Sequence, residues 1–266
     1  FFKHRQVLCE GHAPALVFAS SGTTRTGQSH HHVADPEWYW TSMRTGFEQV
    51  FGPVDRLCIL ALLPSYLERS DSSLVYMVEH LMRWGGHPQS GFFLDDTDAL
   101  AGKISELEKQ GQATLLIGVT FALLDFAQTF PMPLQHTRII ETGGMKGRRR
   151  ELTREEVHAT LKSAFAVNDI ISEYGMTELL SQAWSTSNGR FRCPAWMRIL
   201  VRDTTDPANL IGHGRTGGIN VIDLANVHSC SFIATEDLGK SYADGEFEVL
   251  GRFDQAEARG CALLTA

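Results

Sequence analysis

The sequence predicts an α/β fold, in which a parallel sheet flanked by helices is followed by a smaller β-rich part. Three observations predict it. Short apolar runs recur at 57–63, 91–94, 115–119, 138–140 and 169–171, and continuous apolarity over so few residues suits strands buried on both faces. Segments with helical spacing fill the gaps at 72–83, 98–110, 121–130 and 152–165, so strands alternate with crossover helices and the pairing is parallel. After Trp184 the runs turn short and β-like, at 197–201, 218–222, 230–234 and 247–250, separated by Gly, Asp and Asn and without a helical period.

Each element has a local reason. The opening FFKHRQVLCEGH lacks the apolar middle of a secretory signal, and a start at Phe1 rather than methionine suggests that an N-terminal piece is missing. The run 15–19 reads as a strand that feeds a hydroxyl-rich loop at 20–24, and 30–32 reads as a polar strand beside that loop. Leu74, Met77 and Leu81 give the helix at 72–83 an apolar face. The helix at 152–165 is well signed: Thr153 and Glu156 have capping-box spacing, and Val157, Leu161 and Phe165 share a face. The division of the chain falls at 184, with an α/β core over 1–184 and a β-rich subdomain over 185–266 packed on it. No repeat or low-complexity linker interrupts it.

Composition narrows the function classes. A formal charge of -7 leaves no basic footprint for a phosphodiester backbone, the only dense basic run being Lys146 to Arg150. Nucleic acid is not expected as a partner. The longest apolar stretch, 114–126, is broken by Gly118 and Asp125 and falls short of the roughly 18 residues that span a bilayer, so no membrane span is expected. Five cysteines (Cys9, Cys58, Cys193, Cys230, Cys261) form an odd set with no close pair, which argues against a disulfide framework and a cysteine-based zinc site and fits a reducing cytoplasm.

The loop Ser20-Ser21-Gly22-Thr23-Thr24 carries the first chemical signal. Glycine lets successive N–H groups turn into an anion-binding concavity, and hydroxyls add neutral donors without bulk. Phosphate is the natural guest, although the same composition also makes ordinary surface turns, and the Gly-Lys-Ser/Thr ending of a Walker loop is missing. Gly212, Gly214 and Gly217 match the spacing of a dinucleotide fingerprint, but "INVIDL" after them reads as a strand where a helix is required, so that site is rejected.

Further pieces follow in order. "SSGTT" at 20–24, "ETGG" at 141–144, "SEYGMTE" at 172–178, "TEDLG" at 235–239 and "GRFD" at 251–254 together resemble the successive signatures of the adenylate-forming enzymes, which activate carboxylates with ATP. Within that superfamily "GGMKGRRRELTREEVH" and "GRFDQAEARGC" resemble the LuxE-type acyl-protein synthetases and their phenylacetate-CoA-ligase-like relatives. The resemblance implies an adenylate-forming N-terminal domain whose β-rich subdomain completes the nucleotide site, without the C-terminal lid domain and its catalytic lysine.

It also implies roles. Ser20, Ser21, Gly22, Thr23 and Thr24 would embrace the β- and γ-phosphates of ATP, with Arg25 standing where the family has glycine and no lysine after it. Thr142, Gly143 and Gly144 would form the strand end against which adenine lies, and in the Tyr174-Gly175 pair the tyrosine would stack on the base. Thr177 would contact the α-phosphate and Glu178 would hold Mg²⁺, a hard cation suited to one carboxylate and phosphate oxygens. Asp237 would accept both ribose hydroxyls and Arg252 would donate to the same sugar. Taken singly, a Tyr-Gly pair also reads as a packed turn and Asp237 as a turn residue. His30 and His32 share a strand face but are too few for a closed zinc site. Cys261 reads alone as a small buried hydrophobe; the resemblance makes it the acyl acceptor, with Arg259 favouring its thiolate.

The expected activity is therefore ATP-dependent conversion of a fatty or other hydrophobic carboxylic acid to acyl-AMP, followed by acyl transfer to a thiol. Cys261 is the expected thiol, which would deliver the acyl group to a reductase partner. Two alternatives stay open: an acyl- or aryl-CoA ligase with coenzyme A as acceptor, and a nucleotide- or acyl-binding module without catalysis.

Overall fold

The computed structural model describes residues 2–20, 27–63, 71–94, 96–143, 152–187 and 189–253. An antiparallel hairpin comes first, β1 (Leu16–Ala19) against β2 (His30–Val33), with Ala19 opposite His30. Helix α1 (Pro36–Phe51) follows; Asp35 caps it by accepting from the N–H groups of Glu37 and Trp38, and proline occupies its first turn. It buries Tyr39, Met43, Phe47 and Phe51, four residues spaced one turn apart. Each such side chain contributes roughly 1.5–3 kcal/mol on burial. The helix was not expected from the sequence, although the Asp-Pro start and the four-residue spacing both announce it.

The apolar runs then form the parallel half of a sheet: β3 (Cys58–Leu62), β4 (Gly91–Phe92), β5 (Thr114–Val119), β6 (Thr137–Thr142) and β7 (Ile171–Tyr174), in the order β4-β3-β5-β6-β7. Every residue of β3 and β5 is buried. The intervening helices are α2 (Ser73–Gly85), α3 (Thr97–Gln110), α4 (Thr120–Thr129) and α5 (Arg154–Phe165). Their starts follow capping chemistry: Ser72 accepts from Val75 N, Asp96 from Ala99 N, and Thr153 and Glu156 form the full reciprocal box. Strand β5 passes into α4 without a loop, and Gly118 permits it, since a Cβ there would stand 2.7 Å from Leu123. No helix among the described residues is long and apolar enough to cross a membrane.

Beyond β7 the sheet continues with antiparallel pairing. Strands β8 (Ala183–Ser187), β9 (Arg190–Arg192), β10 (Met197–Arg202), β11 (Gly217–Asp223), β12 (Phe232–Ser241) and β13 (Phe247–Arg252) extend it in the order β7-β8-β9-β13-β12-β11-β10. Ser172 of β7 lies opposite Ser185 of β8, so hydrogen bonding runs straight through position 184. The β-rich part is an extension of the sheet and not a layer laid upon it. A second, smaller apolar core, built from Tyr174, Leu179, Phe191, Met197, Ile199, Ile219, Val221 and Phe247, joins the two halves. Strand β12 begins later than expected and runs on through "TEDLG", which places Asp237 inside a strand and not in a turn.

Candidate functional site

The carboxyl ends of parallel strands are where an open α/β sheet binds ligands, and the described residues of "ETGG" and "SEYGMTE" lie at the ends of β6 and β7. Strand β6 ends on Thr142, and Gly143 after it stands at φ +74, a left-handed conformation that favours glycine. Thr142 Oγ1 donates to Glu173 Oε2 at 2.7 Å and thereby ties the end of β6 to β7. Burial pushes the Glu173 carboxyl up to about 7, with the Thr142 hydrogen bond opposing and the nearby Glu141 carboxylate adding to the rise. Glu141 is also buried and raised. Thr120 Oγ1 sits between Glu141 Oε1 and the Gly143 carbonyl. Ser172 Oγ links Glu141 Oε2 to His158 Nε2, at 3.1 Å on each side. Desolvation, with Arg154 and Lys162 nearby, lowers His158 to about 4 and keeps it neutral.

Tyr174 follows Glu173 directly and is 8% exposed, its ring packed edge-on against Phe191 and Phe247. Its hydroxyl donates to Asp237 Oδ2 at 3.0 Å, and burial raises it well above the usual tyrosine range, so it stays a donor. Asp237 on β12 is the register partner of Arg252 on β13, whose guanidinium pairs with Glu236. Arg202 lies beneath this corner: it donates to the carbonyls of Ile219 and Thr235 and adds positive potential at Asp237. Tyr174, Asp237 and Arg252, 78 positions apart at most, are thus brought together. Gly175 is packed against Glu173, whose Oε1 a Cβ would overlap.

Thr177 and Glu178 sit on the turn after β7, partly exposed. The Glu178 carboxylate makes no hydrogen bond or ion pair with any described residue, while its backbone carbonyl is held by Asn226 Nδ2 at 3.0 Å. A free carboxylate on a braced backbone fits a Mg²⁺ ion that takes its remaining ligands from phosphates and water. Asp223, at the end of β11 and fully buried, anchors the turn further along by accepting from Leu180 N, Ser181 N and Ser181 Oγ.

Of the phosphate-loop residues, Ser20 is described: its N–H donates to Ser29 O and its Oγ accepts from Ser29 N, both at 2.9 Å, which closes the base of the loop. Ser21, Gly22, Thr23, Thr24, Arg25 and Gly144 lie outside the described residues, as does Cys261. In the histidine strand it is His31 that turns inward, with Nδ1 on the carbonyl of Thr177. No group of three potential ligands for a metal occurs among the described residues. Asp223, Asn226 and Arg202 were not singled out by sequence reasoning, and His31, Glu141 and Glu173 were given no role there. An acid beside each motif, in "ETGG" and "SEYG", was the available signal for two of them.

Comparison with known proteins bears on the family and the fold. Residues 40–266 match the family described as "Acyl-protein synthetase, LuxE". No curated protein matches the chain significantly. Among solved structures, ATP-bound MatB from Rhodopseudomonas palustris superposes with a TM-score of 0.67 at 18% identity, over 92% of this chain and 49% of that one. O-succinylbenzoate coenzyme A synthetase (MenE) from Bacillus subtilis, in complex with ATP and magnesium, gives 0.64 at 17% identity, over 91% and 51%. The luciferase-like enzyme of the Zophobas morio mealworm gives 0.64 at 15% identity, over 92% and 59%. The chain spans about half the length of the first two of these proteins. At such identities the likeness is one of fold.

Proposed function

Because the chain belongs to the LuxE acyl-protein synthetase family, we propose that it activates a carboxylic acid with ATP as an acyl-adenylate and passes the acyl group to a thiol. The observation that carries this reading is the junction of Tyr174, Asp237 and Arg252 next to the Thr142–Glu173 strand ends and the Thr177–Glu178 turn. Asp237, oriented by the Tyr174 hydroxyl, accepts from the ribose hydroxyls, and Arg252 donates to the same sugar. Thr142 and Gly143, with Gly144 after them, and the Tyr174-Gly175 pair form the adenine platform. Ser20, Ser21, Gly22, Thr23 and Thr24 cradle the β- and γ-phosphates.

In the first step a carboxylate oxygen attacks the α-phosphorus, the bond to the bridging oxygen breaks, and pyrophosphate leaves. Thr177 donates to the α-phosphate as its charge shifts, the kind of preorganised stabilisation that lowers such barriers most. Mg²⁺, held by Glu178, would supply charge neutralisation for the phosphates. In the second step a thiolate attacks the acyl carbonyl and AMP departs. Burial raises the thiols of Cys58 and Cys193, the latter to about 12, which unsuits both as nucleophiles. Cys261 is the proposed acceptor, coenzyme A the alternative. The substrate class is a hydrophobic, fatty-type acid, with a reductase as the onward acceptor of the acyl group.

Hydroxylamine trapping tests the adenylation step. The wild-type protein should form acyl hydroxamate from ATP, Mg²⁺ and a carboxylate, and Glu178→Ala should not; equal trapping by both removes Glu178 from its role, and no trapping by either favours a binding module. For the acceptor, wild type should take up a radiolabelled acyl group covalently and Cys261→Ser should not. Full acyl-CoA formation with no covalent label on the wild type would assign coenzyme A instead.

A further inference from the structure

Two consecutive carbonyls of the adenylation turn are gripped by side chains from elsewhere in the fold. His31 of β2, fully buried, stands with Nδ1 2.8 Å from the Thr177 carbonyl. A carbonyl only accepts, so Nδ1 carries the proton. Asn226, 1% exposed, donates from Nδ2 to the Glu178 carbonyl at 3.0 Å, with Asp223 Oδ2 at 3.4 Å. Both neighbours are acceptors, which fixes the orientation of the amide.

What remains on the far side of each group is an orphan. His31 Nε2, Asn226 Oδ1 and Ser229 Oγ are buried and have no hydrogen-bond partner, and the three residues line one cavity of about 10 Å³. His32, whose Nδ1 is a fourth orphan, lines it too. In a neutral imidazole with its proton on Nδ1, Nε2 is an acceptor, as is Asn226 Oδ1, and two acceptors cannot satisfy each other. The cavity has the room of a single water molecule, and three polar partners are the number such a water usually finds. Buried polar atoms left unsatisfied in this way are destabilising, which favours a partner for each.

We propose that His31 and Asn226 are positioning residues that clamp the Thr177–Glu178 turn, locked to each other by one internal water that donates to His31 Nε2 and Asn226 Oδ1 and accepts from Ser229 Oγ. The proposal rests on the reading of this turn as the adenylation loop. The clamp acts on main-chain carbonyls, so it sets where the Thr177 hydroxyl and the Glu178 carboxylate point without touching nucleotide. The one arrangement that needs no water is an imidazolium whose Nε2–H donates to Asn226 Oδ1. Burial opposes it most strongly, as does His32, and outweighs the Thr177 carbonyl, the Asp223 carboxylate and the Asn226 amide, which favour it.

Nitrogen-15 spectra of the wild-type chain and the kinetics of two variants test this. His31 should appear as a neutral ring protonated on Nδ1. His31→Phe should lower kcat for hydroxamate formation about tenfold, with KM for ATP within about threefold, since the hydrogen bond that holds the Thr177 carbonyl is lost. His31→Asn, whose amide N–H stands where Nδ1–H stood, should hold kcat within about threefold of wild type. A charged or Nε2-protonated ring would overturn the proposal, and so would a His31→Phe protein as fast as wild type or a His31→Asn protein as slow as His31→Phe. Should the wild type trap no hydroxamate with any carboxylate, the adenylation reading fails, and the ring spectrum still decides the clamp.

Discussion

Replacing Asp223 by asparagine perturbs the bracing of the 177–181 turn at one atom. Its Oδ2 accepts from Leu180 N at 2.9 Å and Ser181 N at 3.0 Å, and its Oδ1 from Ser181 Oγ at 2.6 Å and Ala225 N at 3.1 Å. An amide turns one of those oxygens into a donor. If the NH₂ replaces Oδ2, two backbone N–H groups lose their acceptor. If it replaces Oδ1, Ala225 N is orphaned, and Ser181 Oγ, which already accepts from Trp196 Nε1 at 2.9 Å, must accept again and redirect its own proton. Either way about two buried donors go unsatisfied, at about 1–3 kcal/mol each. The expected loss is ~2–6 kcal/mol, with the hydroxamate rate falling alongside because the turn that carries Thr177 and Glu178 is loosened. Urea unfolding followed by tryptophan fluorescence measures it as a shift of midpoint at constant slope. A variant within about 0.5 kcal/mol of wild type would refute the claim that this carboxylate holds the turn.

Other expectations follow from the same geometry. The Glu173 carboxyl is raised to about 7 in the folded chain, against about 4.3 unfolded, so its stabilising proton is present below about pH 4.3 and is lost as pH rises through about 7. Glu173→Gln should therefore gain on wild type by the order of 2–3 kcal/mol between about pH 5 and pH 8; denaturant midpoints at both pH values showing a constant difference would contradict it. Tyr174→Phe deletes the hydroxyl that orients Asp237, and should raise KM for ATP several-fold, roughly 3–10 by the strength of one hydrogen bond, with kcat little changed. An unchanged KM would disconnect Asp237 from the nucleotide. Thr153→Ala removes half of the capping box on α5, and should lower stability by about 1 kcal/mol without affecting the rate.

The alternation of strands and helices was readable because strands buried on both faces must be apolar along their whole length, as β3 and β5 are. Helix α1 escaped because Trp38 and Trp40 put apolar residues on its other faces and Gly46 falls within its apolar stripe, which blurs the period even though Asp35 and Pro36 mark the start. The length of β12 escaped because "TEDLGK" alternates without being apolar, its strand character coming from ladders on both sides. Within the site, motif residues such as Tyr174 and Asp237 could be named from their order along the chain. The residues that brace them could not. His31 reaches Thr177 across 146 positions, and Asp223 and Asn226 act on the backbone of a turn more than 40 positions away. A bond to a main-chain carbonyl leaves no trace in the identity of the residue that accepts it, so such partners emerge only with the fold.

The most direct test of the central claim is a crystal structure of the full chain with Mg²⁺ and a non-hydrolysable acyl-adenylate analogue. The ribose hydroxyls should lie on the Asp237 carboxylate, with Arg252 beside them, the base against the end of β6, and the phosphate next to Thr177. A nucleotide bound elsewhere, with Tyr174 still hydrogen-bonded to an Asp237 that touches no ligand, would contradict it.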